Sequence, residues 1–349
     1  MKILIQTSHA VSLSEVSRQI AYVGEKLGHV VILNRGSPTY YRISQLCDAL
    51  IIVMPASPTF CMRYYYYYYL AKNSLNGRVV YYTTTEGLIK PFLIPYFMKD
   101  KVEFIANSYY TKKCLEHANL RVIDVVPHGV LQVEYEKAIK IVPKYRQIIK
   151  NRFKDKVVFG CIADYRPRKG LDRLLEAIRI LSQKRNDFVV LFITKQNILP
   201  KIKGIQNAFF TAEFGSREHY EILAFLGSLD YYVSPSLAEG FNLPVLEANF
   251  MGTPAIFVKS YPMLEYADHE ANITFTYNRI VHVDCEEGIL YEYHEYNVQD
   301  LVEAMNRAIE IRKNSKEEYE NMRAKVREKV KDYQSEKLYK RIYEHLGVV

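Results

Sequence analysis

Two stretches, residues 49–54 and 157–163, are apolar throughout, with no polar residue in alternation. A strand of that kind must be covered on both faces, which is the condition of a parallel sheet between helix layers. The intervening segments supply such helices. Val16, Ile20, Val23 and Leu27 share one face of a helix over 14–26, which Ser14 is placed to cap, and Leu171, Leu174, Leu175, Ile178 and Leu181 share one face of another. The pattern therefore predicts an α/β chain. In the first half, strands are expected at 2–6, 30–33, 49–54, 79–83, 103–106 and 122–126, with a further helix over 111–118. In the second half, strands are expected at 157–163, 188–194, 207–211, 230–234 and 254–258, and helices at 171–184, 217–227 and 244–251. From Val298 onward the chain reads as helical.

The chain has 349 residues, enough for two domains of ordinary size. We expect one over 1–140, a second over 141–330 and a terminal helical segment, 331–349, returning to the first. A polar, Lys-rich stretch over 134–154 reads as the link. No run approaches the roughly 18 apolar residues of a membrane span, and the first residues read as a buried strand rather than a signal peptide. The five cysteines are scattered, odd in number and without a C-x-x-C pair, so buried free thiols in a reducing compartment are expected, not disulfides or zinc. The formal charge of +8 is unevenly spread. Residues 1–150 carry 19 Lys and Arg against 10 Asp and Glu, whereas 151–349 carry 28 against 29. The basic excess of the first half suggests an anionic partner there. No recognised nucleic-acid reader motif accompanies it, so nucleic acid is not expected. Neither G-x-G-x-x-G after the first strand nor G-x-x-x-x-G-K-[ST] is present, which disfavours a dinucleotide dehydrogenase and a P-loop enzyme.

The most specific string is E-G-F-N-L-P-V-L-E, Glu239 to Glu247. It follows a strand and a turn and enters a short helix closed by Gly252. The first acid lies on the loop before the helix and the second within it. Helix N-termini hold phosphate through free N–H groups, so Gly240, Phe241, Asn242 and Leu243 would face a diphosphate, with one carboxylate on either side for hydroxyls. Upstream, Asp164-Tyr165-Arg166-Pro167-Arg168-Lys169-Gly170 sets three cations on a strand-to-helix loop, at the carboxyl end of a strand, where open α/β sheets bind ligands.

P-S-L-A-E-G-F-N-L-P-V-L-E-A followed by M-G-T-P-A-I resembles the signature of retaining glycosyltransferases of family GT4. The resemblance implies the GT-B fold: two Rossmann-like domains facing a central cleft, with a C-terminal helix crossing back. It covers most of the chain, although its specific motifs lie in the second half. It implies transfer of a sugar from a nucleoside-diphosphate sugar to an acceptor hydroxyl on a glycan, glycolipid or protein glycan. Glu239 would hold donor-sugar hydroxyls and the oxocarbenium-like face, and Glu247 the ribose diol. Lys169 matches the family's diphosphate-binding Lys. Its Arg usually sits near the strand end, where this chain has Ala163 or Asp164, so Arg166 or Arg168 is expected to substitute. No Asp-x-Asp is found, so no metal and no cofactor are expected. Base contacts would come from 194–197 and 212–216.

The first half departs from that family in two places. The loop after strand 1 usually holds a Gly-Gly pair, but here it reads Ser8-His9-Ala10-Val11-Ser12, and His9 and Ser12 are candidates for facing the sugar or acceptor. Where relatives carry a His, this chain has Thr85 or Glu86. Six consecutive tyrosines, 64 to 69, fall on an expected helix. Phenol rings suit packing, sugar stacking and membrane interfaces alike. The first domain is expected to take the acceptor and to contact an anionic membrane peripherally, with a cytoplasmic location. The rival readings are a sugar-nucleotide binder without catalysis, which would bind donor and not transfer it, and a basic anionic-polymer binder. The latter would show strongly salt-dependent binding that survives loss of both glutamates.

Overall fold

A computed structural model describes residues 1–8, 10–35, 47–285 and 287–349. It divides into two compact units. The first comprises Met1–Leu131, His282–Glu292 and Tyr333–Val349, and the second Gln132–Val281 and Tyr293–Asp332.

In the first unit the strands are β1 (Lys2–Thr7), β2 (Val30–Asn34), β3 (Ala49–Pro55), β4 (Val79–Thr84), β5 (Gly87–Ile89), β6 (Glu103–Ala106) and β7 (Arg121–Val125). Six of them form a parallel sheet in the order β2-β1-β3-β4-β6-β7. The apolar run at β3 is the most enclosed part of it, with Ala49 to Met54 fully buried, as a strand covered on both faces must be. The first helix, Val11–Lys26, begins a turn before Ser14; Ala10 is the N-cap, and the Ser14 hydroxyl instead accepts from Arg35. The tyrosine run lies on the helix Cys61–Ser74. Tyr64 and Tyr67 face inward with Leu70 and Ala71. The Tyr64 hydroxyl donates to the Met54 and Pro55 carbonyls at 3.2 Å, and its ring packs edge-on against Phe104. Burial pushes the Tyr67 phenol up to about 12.

The C-terminal stretch from Tyr333 belongs to this unit. Val130 bridges Gln334, the Ser335 hydroxyl donates to Gln19 Oε1 at 2.6 Å, and the Tyr343 hydroxyl donates to the Ile20 carbonyl at 2.7 Å. A Cβ on Gly24 would lie 2.2 Å from the Tyr343 hydroxyl, so this position admits glycine only if the terminal helix is to dock there.

The second unit repeats the plan with β8 (Val157–Ile162), β9 (Phe188–Ile193), β10 (Ala208–Thr211), β11 (Tyr231–Ser234), β12 (Ala255–Val258) and β13 (Ile273–Phe275), ordered β10-β9-β8-β11-β12-β13 and parallel throughout. The chain winds from β8 to β10 in one direction, then resumes at β11 on the other side of β8. The strand order therefore reverses between β8 and β11, and ligands of open α/β sheets bind outside the carboxyl ends at such a point. Leu171, Leu174, Leu175, Ile178 and Leu181 are all buried on the helix Leu171–Ser182, which follows β8. The helix Gln132–Phe153 lies wholly in this unit, so position 140 falls inside an element rather than between domains. Two helices, Val298–Asn314 and Lys316–Val330, close the unit.

The strands β14 (Arg279–Cys285) and β15 (Ile289–Glu295), with β5, make a small sheet that the sequence patterns do not announce. β14 is exposed at Arg279, Ile280, His282 and Asp284. β15 pairs antiparallel with β5, Leu290 opposite Leu88, and a Cβ on Gly87 would lie 2.1 Å from the Leu290 carbonyl oxygen.

Candidate active site

The carboxyl ends of β8 and β11 each deliver one loop, and the two loops lock together. After β8 the chain passes through a single 3-10 turn, Pro167–Lys169, to Gly170, whose φ of +63° lies in the left-handed region that glycine tolerates. A Cβ there would come within 2.0 Å of the Pro235 carbonyl oxygen. The Leu237 N–H donates to the Arg168 carbonyl at 2.7 Å. The backbone thus holds residues 168–170 against 235–237, and the side chains that follow meet at short range.

Glu239 is the centre of that meeting. The Lys169 ammonium donates to both of its carboxylate oxygens, at 2.7 and 2.9 Å, and the Arg168 guanidinium approaches Oε2 at 3.3 Å. All three side chains are mostly buried. Burial works against the charge on Glu239, but Lys169 and Arg168 outweigh it and hold the carboxyl below the usual carboxylate range. Arg166, the other candidate cation, is 57% exposed and pairs with Asp164 at 2.9 Å. Of the two arginines left open by the sequence, Arg168 is the one that turns inward.

The loop 239–242 is buried along its length. Phe241 stacks on Tyr266 at 4.8 Å, and the Tyr266 hydroxyl lies 2.9 Å from the carbonyls of both Phe241 and Asn242. Asn242 adopts φ +74° and donates to the Ser234 hydroxyl at 2.7 Å, so a residue tolerant of the left-handed region makes the turn into the helix Leu243–Phe250. Pro244 has no N–H to offer, and the Val245 N–H donates to the Asn242 carbonyl at 3.1 Å. The helix N-terminus therefore supplies fewer phosphate donors than its length alone suggests.

Glu247 is buried one turn into that helix, in a setting that sequence reasoning missed. His219, which opens the helix His219–Ser228, puts Nε2 2.8 Å from Glu247 Oε1 and Nδ1 2.6 Å from Glu134 Oε2. All three are buried. A neutral imidazole has one N–H, so two carboxylate partners require the imidazolium or a proton shared onto a carboxyl. Glu134 and His219 carry no local motif. The only signal available was a lone His at the start of a mostly apolar helix, and its partners lie 85 and 28 residues away. Tyr232 of β11 is buried and feels the charge of both Glu239 and Glu247. Burial pushes its phenol far up, with Cys161, Glu239 and Glu247 adding to the effect.

The remaining candidates belong to the first unit. Thr85 is buried and its hydroxyl donates to the Gly87 carbonyl at 3.0 Å, so it braces the β4–β5 turn. Glu86 is half-buried, and Ser12 is exposed on the first turn of the helix Val11–Lys26. His9 lies outside the described residues. Four of the five thiols, all but Cys285, are buried, and none of the five is in a disulfide. Among the described residues no helix is long and apolar enough to cross a membrane.

Comparison with known proteins agrees with this geometry. The family model described as glycosyl transferases group 1 matches residues 144–329, more than half of the chain. A glycosyltransferase numbered 335 of Sulfolobus islandicus rod-shaped virus 1 is 29% identical over 99% of this chain and 100% of its own length. Among solved structures, a glycosyltransferase from Rickettsia africae superposes with a TM-score of 0.72 at 14% identity, over 99% of this chain and 98% of that one. HepE of Anabaena, in complex with UDP and glucose, does so with a TM-score of 0.69 at 14% identity, over the full length of both chains. With the carboxylate–cation cluster at the strand-order reversal of a parallel sheet, these matches make the chain a transferase of the GT-B fold that belongs to the glycosyl transferases group 1 family.

Proposed function

We propose that this enzyme is a retaining, metal-independent transferase that moves a sugar from a nucleoside-diphosphate sugar to an acceptor hydroxyl. The observation that carries the reading is Glu239 held between Lys169 and Arg168 at the carboxyl ends of β8 and β11. In the reaction the bond from the anomeric carbon to the leaving diphosphate oxygen breaks, and a bond to the acceptor oxygen forms on the same face. The acceptor proton passes to the leaving phosphate oxygen. Negative charge grows on the diphosphate, where Lys169 and Arg168 supply fixed cations that need no reorganisation. Positive character grows at the anomeric centre, where the Glu239 carboxylate, kept ionised by the same cations, opposes it. Glu247 holds the ribose diol, with His219 fixing its orientation. Arg166 is available to the solvent side of the diphosphate. The acceptor, a hydroxyl of a glycan, glycolipid or protein glycan, is assigned to the first unit, with Glu86 and Ser12 as polar candidates there. HepE of Anabaena is known with UDP-glucose, so UDP-sugars are the first donors to try.

The test is thermal stabilisation by UDP-, GDP- and ADP-sugars, with and without a chelator, for the native chain and Glu247→Ala, followed by NMR of the anomeric configuration of the product. Stabilisation by one base family, weakened in the variant and unchanged by chelator, with the donor anomer retained, is expected. An inverted product, or activity abolished by chelator and restored by a divalent ion, would overturn the finer reading.

A further inference from the structure

The loop that carries Glu239 is held by a third element besides the turn before Gly170. The Leu237 carbonyl accepts from the His294 backbone N–H at 2.9 Å, and His294 Nδ1 lies 3.1 Å from the same oxygen. A carbonyl oxygen only accepts, so Nδ1 carries a proton and donates it there. The Pro235 carbonyl, which faces Gly170, accepts from the Tyr296 hydroxyl at 2.7 Å. His294 lies near the end of β15 and Tyr296 just beyond it, two residues apart, the spacing at which side chains leave a strand on one face. Both side chains are buried. They are also braced from behind. The His294 ring meets the Tyr277 ring edge-on at 4.7 Å, and the Tyr296 ring meets Phe275 edge-on at 4.9 Å. Arg173, on the helix Leu171–Ser182, lies 4.9 Å from the Tyr296 ring centre and donates to the Tyr296 carbonyl and the Glu295 carboxylate.

These bonds orient peptide groups that lead into Glu239. The Leu237 N–H is taken by the Arg168 carbonyl and the Leu237 carbonyl by His294, so both polar groups of the residue two before Glu239 are fixed. A trans peptide points its C=O and N–H in opposite directions. With the carbonyls of 235 and 237 turned to His294 and Tyr296, the path of the chain through Ser236 and Ala238 is set. Glu239 then meets Lys169 at 2.7 Å and Arg168 at 3.3 Å. We infer that His294 and Tyr296 are positioning residues of the transferase, which act through the Leu237 and Pro235 carbonyls to hold the Glu239 carboxylate in its reacting place. The inference rests on the role proposed above for Glu239. Neither residue belongs to the strings around Glu239 and Lys169, and both reach the site from more than 50 residues further along the chain.

The test pairs kinetics with hydrogen exchange, because exchange reads the loop whether or not the chain transfers sugar. The kinetic readout is release of nucleoside diphosphate from the UDP-, GDP- or ADP-sugar that stabilises the native chain. His294→Leu removes the ring N–H, whereas His294→Asn restores a donor the same number of bonds from the backbone as Nδ1. His294→Leu should lower kcat about a hundredfold, as a reacting group misplaced by about 1 Å does, and His294→Asn should recover at least about tenfold of that. Tyr296→Phe, which keeps the ring and loses one hydrogen bond, should lower kcat about fivefold. Binding of the free nucleoside diphosphate, which carries no donor sugar for Glu239 to meet, should stay within about threefold of native in all three. The N–H groups over 236–242 should exchange at least about tenfold faster in His294→Leu than in the native chain or His294→Asn, while those over 157–162 keep native protection. Native-like kcat or native-like loop exchange in His294→Leu, or a His294→Asn variant no better than His294→Leu, overturns the inference. So does protection lost across the whole second unit, since the two residues then serve stability alone. If the native chain acts on no sugar nucleotide, yet loop protection is lost in His294→Leu and regained in His294→Asn, the anchoring of Glu239 is upheld and the transfer reading falls.

Discussion

Replacing His219 with Phe keeps an aromatic ring of similar size and removes both ring nitrogens. Glu134 and Glu247 then each lose one short bond, of 2.6 and 2.8 Å, inside a buried site. Breaking a buried ion pair by deleting one partner costs about 3–5 kcal/mol, because a charge is left uncompensated. A second estimate limits the value. A stranded carboxylate escapes by taking up a proton, and for an ordinary Glu at pH 7 this costs about 3.7 kcal/mol. The expected loss is therefore about 3–4 kcal/mol at pH 7. It should shrink as the pH falls, to about 2 kcal/mol at pH 5. The sign follows from linkage: the folded variant binds an extra carboxyl proton across this range, whereas the imidazolium proton of the native chain is an extra one only above the ordinary His range of about 6.5, so below that range lowering the pH stabilises the variant relative to the native chain. His219→Gln retains an N–H donor and should lose roughly half as much. Denaturant unfolding at pH 7 and pH 5, followed by circular dichroism, reads all of this. A loss under about 1 kcal/mol at pH 7, or one that does not change with pH, refutes the carboxylate–imidazolium–carboxylate arrangement. A separate readout addresses orientation: His219→Gln should weaken UDP binding more than binding of a nucleotide lacking the ribose diol.

Gly170→Ala should destabilise by about 2 kcal/mol or more, since the left-handed backbone alone costs about 1–2 and the new Cβ meets the Pro235 carbonyl; a denaturant midpoint equal to that of the native chain contradicts the loop docking. Lys169→Met should lower kcat/KM by at least about a hundredfold, whereas Arg166→Met, at an exposed position, should change it less than tenfold; equal effects would refute the division of roles. The ionised Glu239 contributes stability that is full above the usual carboxylate range and is lost as pH falls through its depressed value, so acid unfolding of Glu239→Gln should be shallower than that of the native chain. A native-state thiol reagent at pH 8 should label Cys285 first. Burial pushes Cys47 and Cys61 up to about 11, and Cys114 and Cys161 up to about 12, so these should react only on unfolding; labelling of Cys161 at the rate of Cys285 would show the second-unit sheet to be open.

Elements whose instructions are local were legible from residue pattern. The strand at β3 is apolar because helices cover both of its faces, and the helix Leu171–Ser182 buries the residues its spacing selects. Ser14 misled as a cap because the helix gains a further turn at Val11, where no side-chain cap is needed. The β14–β15 hairpin was silent because its strands are half-exposed and one partner, β5, is only three residues long and far away in the chain. Six tyrosines in a row carry no amphipathic signal at all, so nothing local separates Tyr64 and Tyr67, which enter the core, from Tyr65 and Tyr69, which do not.

The site divides in the same way. The string from Glu239 to Glu247 and the basic loop before Gly170 are contiguous, and each names its own chemistry. The positions of the acids on a loop and a helix follow from the Asn242 and Pro244 that start the helix. That Arg168 rather than Arg166 meets Glu239 depends on a loop-to-loop contact spanning about 70 residues, and that His219 joins Glu247 to Glu134 depends on the packing of three separate helices. Hydrophobic period and turn chemistry act over a few residues and can be read along the chain. Which charged side chain finds which partner is settled only when the sheet has brought β8 and β11 side by side.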